Sequence, residues 1–104
     1  QMEDYMMEIR KQIDGEKMTL EVEGRMDTVT APQLEEVISN ELSDVKELVL
    51  DFGKLEYLSS AGLRVILSAQ KLMAKQGSMK ICHVNNTIME IFEITGFADI
   101  LTIE

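Results

Sequence analysis

Two neighbouring hydroxyls, Ser59 and Ser60, open the run Ser59-Ser60-Ala61-Gly62-Leu63-Arg64, where the chain passes from a strand and loop into a helix. A serine at a helix N-terminus sits beside free backbone N–H groups and the positive end of the helix dipole, and small neighbours let another protein's active site come close to the backbone. Such a hydroxyl is a good phosphoacceptor. A phosphate there is tolerated by the helix end, yet it adds about −1.5 to −2 charge to any contact surface around it. Folding survives and binding is lost, which is the behaviour of a switch. The plainer reading is that a serine caps the helix while Ala61 and Gly62 allow it to pack closely on a sheet. On these residues alone the plainer reading prevails.

Other chemistry is sparse. His83 is the single histidine and Cys82 the single thiol, so the sequence offers neither a metal-ligand cluster nor a nucleophile–base pair. His83 reads as a strand residue, and Cys82 as a small buried side chain in an apolar stretch. There is no glycine-rich phosphate loop, and the carboxylates are spread over helix surfaces where solvation is their ordinary role. The expectation is a non-enzyme with no catalytic residue, cofactor or metal.

Composition narrows the partners. With 19 acidic against 10 basic side chains the formal net charge is −9, which repels nucleic-acid phosphates and anionic lipid headgroups. Direct nucleic-acid binding and membrane insertion are therefore not expected. A lone cysteine precludes an internal disulfide, and no apolar run approaches the roughly 20 residues of a membrane span; the expected location is the reducing cytoplasm. Gln1 ahead of Met2 reads as a cloning remnant. The 104 residues, 45% of them hydrophobic, suit one domain that folds alone and ends where the chain ends. No motif specifies an oligomeric state.

The elements that must position the serines follow from periodicity. Apolar residues alternate at Tyr5, Met7, Ile9 and Ile13, and again at Met18, Leu20 and Val22, the mark of half-buried strands. A two-residue turn at Asp14-Gly15 would place Ile13 opposite Glu16, with Met7, Ile9, Met18, Leu20 and Val22 on one face. Thr30-Ala31-Pro32-Gln33 has the spacing of a capping box, opening a helix whose core face is Leu34, Val37, Ile38 and Leu42. Leu48-Val49-Leu50 predicts a central strand covered on both faces. The helix after Ser59-Ser60 carries Leu63, Ile66, Leu67, Met73 and Ala74, broadened by Val65, Ala69 and Leu72, a breadth better explained by burial than by a partner. A strand over 79–84, a short helix over 86–94 stopped by Gly96, and a final strand over 100–103 complete the order β-β-α-β-α-β-α-β. Met7, Met18 and Met73 are expected in the core rather than on an adaptable binding surface. The fold class is α/β: a mixed four- to five-stranded sheet with an antiparallel N-terminal hairpin, later strands parallel, and helices mainly on one face.

The segment Tyr57-Leu58-Ser59-Ser60-Ala61-Gly62-Leu63-Arg64-Val65-Ile66-Leu67 resembles the signature of the STAS family, named for sulfate transporters and anti-sigma antagonists. Gly24-Arg25-Met26-Asp27 resembles the family's Gly-x-x-Asp turn, and the likeness runs through the helix near Ala31, the strand at Leu48 and Gly96-Phe97. The resemblance implies an anti-sigma factor antagonist. Its phosphoacceptor would be Ser60, two positions before the glycine of the second helix. Its partners would be an anti-sigma factor that is also a serine kinase, and a serine phosphatase that restores the free form. Asp27 matches the family's loop aspartate, which engages the kinase; its plainer role is a turn or cap residue. Around the acceptor, Thr28, Ser59, Ala61, Gly62 and Arg64 would contribute to the partner-binding surface. The chain departs from sporulation-type members in having Ser59 where they carry aspartate and Arg64 where they carry glycine. Ser59 thereby becomes a second candidate acceptor, and Arg64 a residue able to pair with phosphate or with a partner carboxylate.

Three functions compete on this footing: a phosphorylation-controlled antagonist, an unmodified interaction module in a signalling scaffold or beside a lipid transport system, and a nucleotide sensor using the Asp27 loop and the Ser60 helix end as an anion cradle. The net charge disfavours the third.

Overall fold

The computed structural model describes residues 6–104; Tyr5, predicted at the start of the first strand, lies outside them. The elements are β1 (Met7–Asp14), β2 (Lys17–Met26), α1 (Ala31–Glu41), β3 (Glu47–Leu58), α2 (Ser60–Gln76), β4 (Ser78–Cys82) and α3 (Asn86–Thr95), with a 3-10 turn at Phe97–Asp99. They form one four-stranded sheet in the order β1-β2-β3-β4, with β1 antiparallel to β2 and the remaining pairs parallel.

The hairpin keeps the predicted face but not the predicted register. Ile13 pairs with Met18 and Asp14 with Lys17, so the turn is Gly15-Glu16, with Gly15 at φ +61° in the first central position, where a type II′ turn takes glycine. The slip is two residues. Because side chains alternate with a period of two, Met7, Met18, Leu20 and Val22 remain buried with Ile9 packed beside them.

Alternation in β2 is strict, with Met18, Leu20, Val22, Gly24 and Met26 buried and the intervening residues half-exposed. In β3 the buried series runs Leu48, Leu50, Phe52, Leu55 and Leu58. Its parity changes twice, because the pairing with β2 slips between Glu21 and Glu23 and again between Gly24 and Arg25. Each bulge inserts one residue and re-aims those that follow, so Leu55 and Leu58 still reach the core.

All three helices pack on this one face, where Leu34, Ile38, Ile66, Met73, Ile88 and Phe92 join the strand residues in a single cluster. Leu48, Val49 and Leu50 are all buried, as expected of a strand covered on both faces, although the helices lie on one. Val49 is buried outside that cluster, on the open face between Thr19 and Lys80, its neighbours in β2 and β4. Met7, Met18 and Met73 are core residues as expected. The breadth of α2 is largely buried: Val65 and Ala69 are enclosed with Leu63, Ile66 and Met73, whereas Ala74 faces solvent.

Three further expectations are corrected. Thr30 forms no capping box: its hydroxyl donates to the Arg25 carbonyl (2.6 Å) and accepts from the Asp27 N–H (2.9 Å). The fourth strand stops at Cys82, because His83 takes a left-handed conformation, φ +61°, which ends an extended strand. The segment predicted as a final strand makes a single bridge, Ile103 to Ile81, after the 3-10 turn. No described helix is long and apolar enough to cross a membrane.

Candidate functional site

Three connections bring the predicted residues to one end of the molecule. β2 and β3 run parallel and finish side by side, Met26 against Leu58. The Ser59 N–H donates to the Met26 carbonyl (2.9 Å), tying the start of α2 to the loop that carries Asp27. Gly62 then lets α2 sit down on the strand ends: a Cβ there would lie 2.5 Å from Leu58 Cδ1 and 2.8 Å from Met26 Sδ. Gly62 is buried. It seats the start of the helix against the two strand ends.

The two serines are sharply distinguished. Ser60 is the first residue of α2 and is exposed. Ser59 occupies the capping position, but its side chain accepts no N–H from the helix, and its Oγ is buried without a hydrogen-bond partner. The Ser59 hydroxyl is turned inward although the residue as a whole is half-exposed, so Ser60 presents the more accessible hydroxyl of the two. The plainer reading, a serine cap on α2, is also corrected. The Ser60, Ala61 and Gly62 N–H groups precede the first intrahelical bond, from Leu63 N to Ser59 O (3.0 Å), and no side chain caps them. No acidic residue stands in the first turn of the helix. That end therefore keeps its partial positive charge, estimated at roughly +0.5 for a helix N-terminus.

Asp27 is committed to its own turn. Its Oδ1 accepts the N–H groups of Val29 (2.9 Å) and Thr30 (3.1 Å), and its carbonyl accepts that of Ala31 (2.8 Å). The Thr30 N–H, against some desolvation and with help from the Val29 N–H, holds the Asp27 carboxyl below its ordinary pKa. It is a hydrogen-bonded carboxylate in the loop adjoining the start of α2.

Thr28, Ala61 and Arg64 line one shallow groove of about 180 Å³ between α1 and α2, together with Ala31, Glu35 and Val65. Arg64 is exposed one turn beyond Ser60, the i,i+4 spacing at which side chains on a helix are neighbours. Two features escaped sequence reasoning. Val29 is 83% exposed on the Asp27 loop, and its signal was an apolar residue between a strand and a helix that belongs to neither pattern. Arg25 stacks on Tyr57, 4.2 Å from its ring centroid, and this followed only from the pairing of those residues across β2 and β3.

The family model of the STAS domain matches residues 5–104. The chain belongs to the STAS family. Among its curated relatives, the anti-sigma-B factor antagonist of Listeria monocytogenes is 33% identical over 98 residues, 90% of this chain and 84% of that one. An anti-sigma factor antagonist of Mycobacterium paratuberculosis superposes with a TM-score of 0.84 at 22% identity, over 93% of this chain and 84% of that one. The Bacillus cell fate determinant SpoIIAA in its phosphorylated form superposes with a TM-score of 0.74 at 17% identity, over 93% of this chain and 91% of that one. This STAS domain is thus an antagonist-type member, with the mixed sheet and N-terminal antiparallel hairpin of its structural relatives.

His83, expected within a strand, lies just past the end of β4. Cys82 is the β4 partner of Asp51 in β3, and it faces the open side of the sheet rather than the core, half-exposed. His83 Nδ1 lies 3.0 Å from Asp51 Oδ1. Burial opposes ionisation of Asp51, but the Gly53 N–H and His83 together hold its carboxyl below the ordinary pKa. Burial, then Asp51, pushes the Cys82 thiol up. This cluster lies on the face of the sheet away from the helices.

Proposed function

We propose that this STAS domain is a phosphorylation-controlled antagonist. Its unmodified form binds an anti-sigma factor that is also a serine kinase and so frees a sigma factor; phosphate on Ser60 ends that binding; a serine phosphatase restores it. The observation that carries this reading is the start of α2, where an exposed hydroxyl in the first helical position adjoins amide groups that no side chain caps. A phosphoryl group on Ser60 would meet that uncapped end and the Arg64 guanidinium, two favourable partners for an anion. It would also place up to two negative charges at the mouth of the α1–α2 groove, beside Thr28 and Ala61. A partner fitted to the neutral surface would be expelled electrostatically while the fold stays intact. Asp27 contributes a fixed negative charge on the adjoining loop, suited to a basic group on the kinase. Catalysis, on this reading, belongs to the partners, and the protein acts in the cytoplasm.

The test is intact mass and peptide mapping of the protein isolated from its native cells with phosphatases inhibited, alongside the Ser60→Ala variant. A single phosphate on Ser60 that the variant lacks, with altered sigma-dependent transcription, is the expected result. Unmodified protein under growth and stress conditions alike, with a Ser60→Asp variant that holds its partner as well as the parent, would mark an unmodified interaction module instead.

A further inference from the structure

We infer that Asp51, Cys82 and His83 form a surface site for one divalent ion of the zinc class, separate from the Ser60 surface. The ligand-bearing atoms of the three side chains lie within 4.8 Å of one another. Two structural devices, one long-range and one local, bring them together. Parallel pairing sets Asp51 and Cys82 side by side on the open face of the sheet. Left-handed backbone at His83, φ +61°, then breaks the alternation that would send consecutive side chains to opposite faces, so the imidazole folds back over Asp51.

The surroundings fit ligation. Gly53 leaves room for the ring: a Cβ there would lie 3.2 Å from Asp51 Oδ1 and 3.3 Å from His83 Cβ. Its N–H donates to Asp51 Oδ1 (2.9 Å), the kind of hydrogen bond that orients a ligating carboxylate. The 3.0 Å separation of His83 Nδ1 and Asp51 Oδ1 is close to the edge of a tetrahedron with metal bonds of about 2.0–2.1 Å, so these two ligands need little rearrangement. Sulfur, imidazole nitrogen and carboxylate oxygen together form a donor set that zinc accepts and that magnesium and calcium, which take oxygen ligands, do not favour. Three protein ligands leave the fourth position to water or to a group from another molecule. Binding exchanges the Cys82 thiol proton for a metal–sulfur bond, the proton leaving to solvent.

The experiment is titration of the full-length reduced chain with cobalt(II) and then zinc(II). One equivalent of cobalt should produce a thiolate-to-metal charge-transfer absorption and release protons, and zinc should abolish the absorption by displacement. Cys82→Ser should remove the band, and Asp51→Asn and His83→Asn should each weaken binding at least about tenfold. Glu93→Gln, an exposed carboxylate on α3, should change nothing. Circular dichroism of each metal-free variant checks that the fold is kept. No charge-transfer band at stoichiometric cobalt, or affinity that survives all three ligand substitutions, overturns the proposal and leaves Asp51–His83 as an ordinary ion pair.

Discussion

In the loop that leads into α1 the Asp27 carboxylate takes the Val29 and Thr30 N–H groups, and at the start of α3 the Asn85 side chain caps the helix by taking that of Ile88 (2.9 Å). At the start of α2 the residue in the capping position, Ser59, turns its hydroxyl into the interior and takes none. The same short polar side chains are available at all three places. A cap is worth about 0.5–2 kcal/mol, so α2 forgoes stability that α3 collects through Asn85. It is held instead by packing: Gly62 against Leu58 and Met26 at one end, and at the other the Gln76 amide donating to the Leu42 and Val45 carbonyls. A helix anchored through its body can leave its N-terminus free to receive charge. The contrast sets the start of α2 apart from that of α3 on structural grounds alone.

The largest effect should come from attacking that anchor. Gly62→Val forces a branched side chain into the space of Leu58 and Met26, and overpacking of this kind should cost about 3 kcal/mol, read as a fall in the urea midpoint. A result near zero would mean that α2 does not depend on this contact.

Removing a working cap should cost less and reveal the asymmetry directly. Asn85→Ala, which also loses the Asn85 bond to the Leu55 carbonyl (3.1 Å), should destabilise by about 1–2 kcal/mol. Ser59→Ala, in the equivalent position of α2, should be neutral or stabilising by a few tenths of a kcal/mol, since it deletes a buried unpartnered hydroxyl. Equal losses in the two variants would remove the distinction between the helix starts.

Asp27→Ala should cost about 1 kcal/mol at neutral pH, with a pH signature. The folded-state pKa of Asp27 is depressed, so its contribution is fully present above the unfolded carboxylate value of about 3.9 and is lost as pH falls through the folded value. Parent and variant should therefore differ in stability at pH 7 and converge in acid. Parallel curves down to pH 2 would show that the Asp27 charge contributes nothing.

The smallest effect sharpens the comparison at Ser60. A carboxylate there meets an uncapped helix end, so Ser60→Asp should stabilise the fold by about 0.3–1 kcal/mol at low ionic strength, fading with added salt. A salt-independent loss of stability would show that the N-terminus of α2 is not the receptive end described.

The segment proposed to carry the phosphoacceptor could be picked out in the sequence because its pattern is local: a hydroxyl, two small residues and the onset of an apolar period of 3.6 lie within a few positions of one another. The faces of the hairpin were legible for the same reason, since a period of two survives a register slip of two residues. The register itself was set by the conformation of Gly15, and the two bulges in β3 arose only where it met β2. Which serine is available was likewise decided in three dimensions. Ser59 and Ser60 are chemically identical neighbours, and only the bond from Ser59 N to Met26 O and the close seat of Gly62 leave the first half-exposed with its hydroxyl turned inward and the second in solvent. The Asp51–Cys82–His83 cluster was invisible in the sequence. Asp51 stands about thirty residues from the adjacent Cys82 and His83 and meets them because parallel strands align residues across a helical crossover, a distance over which sequence periodicity carries no information about neighbours.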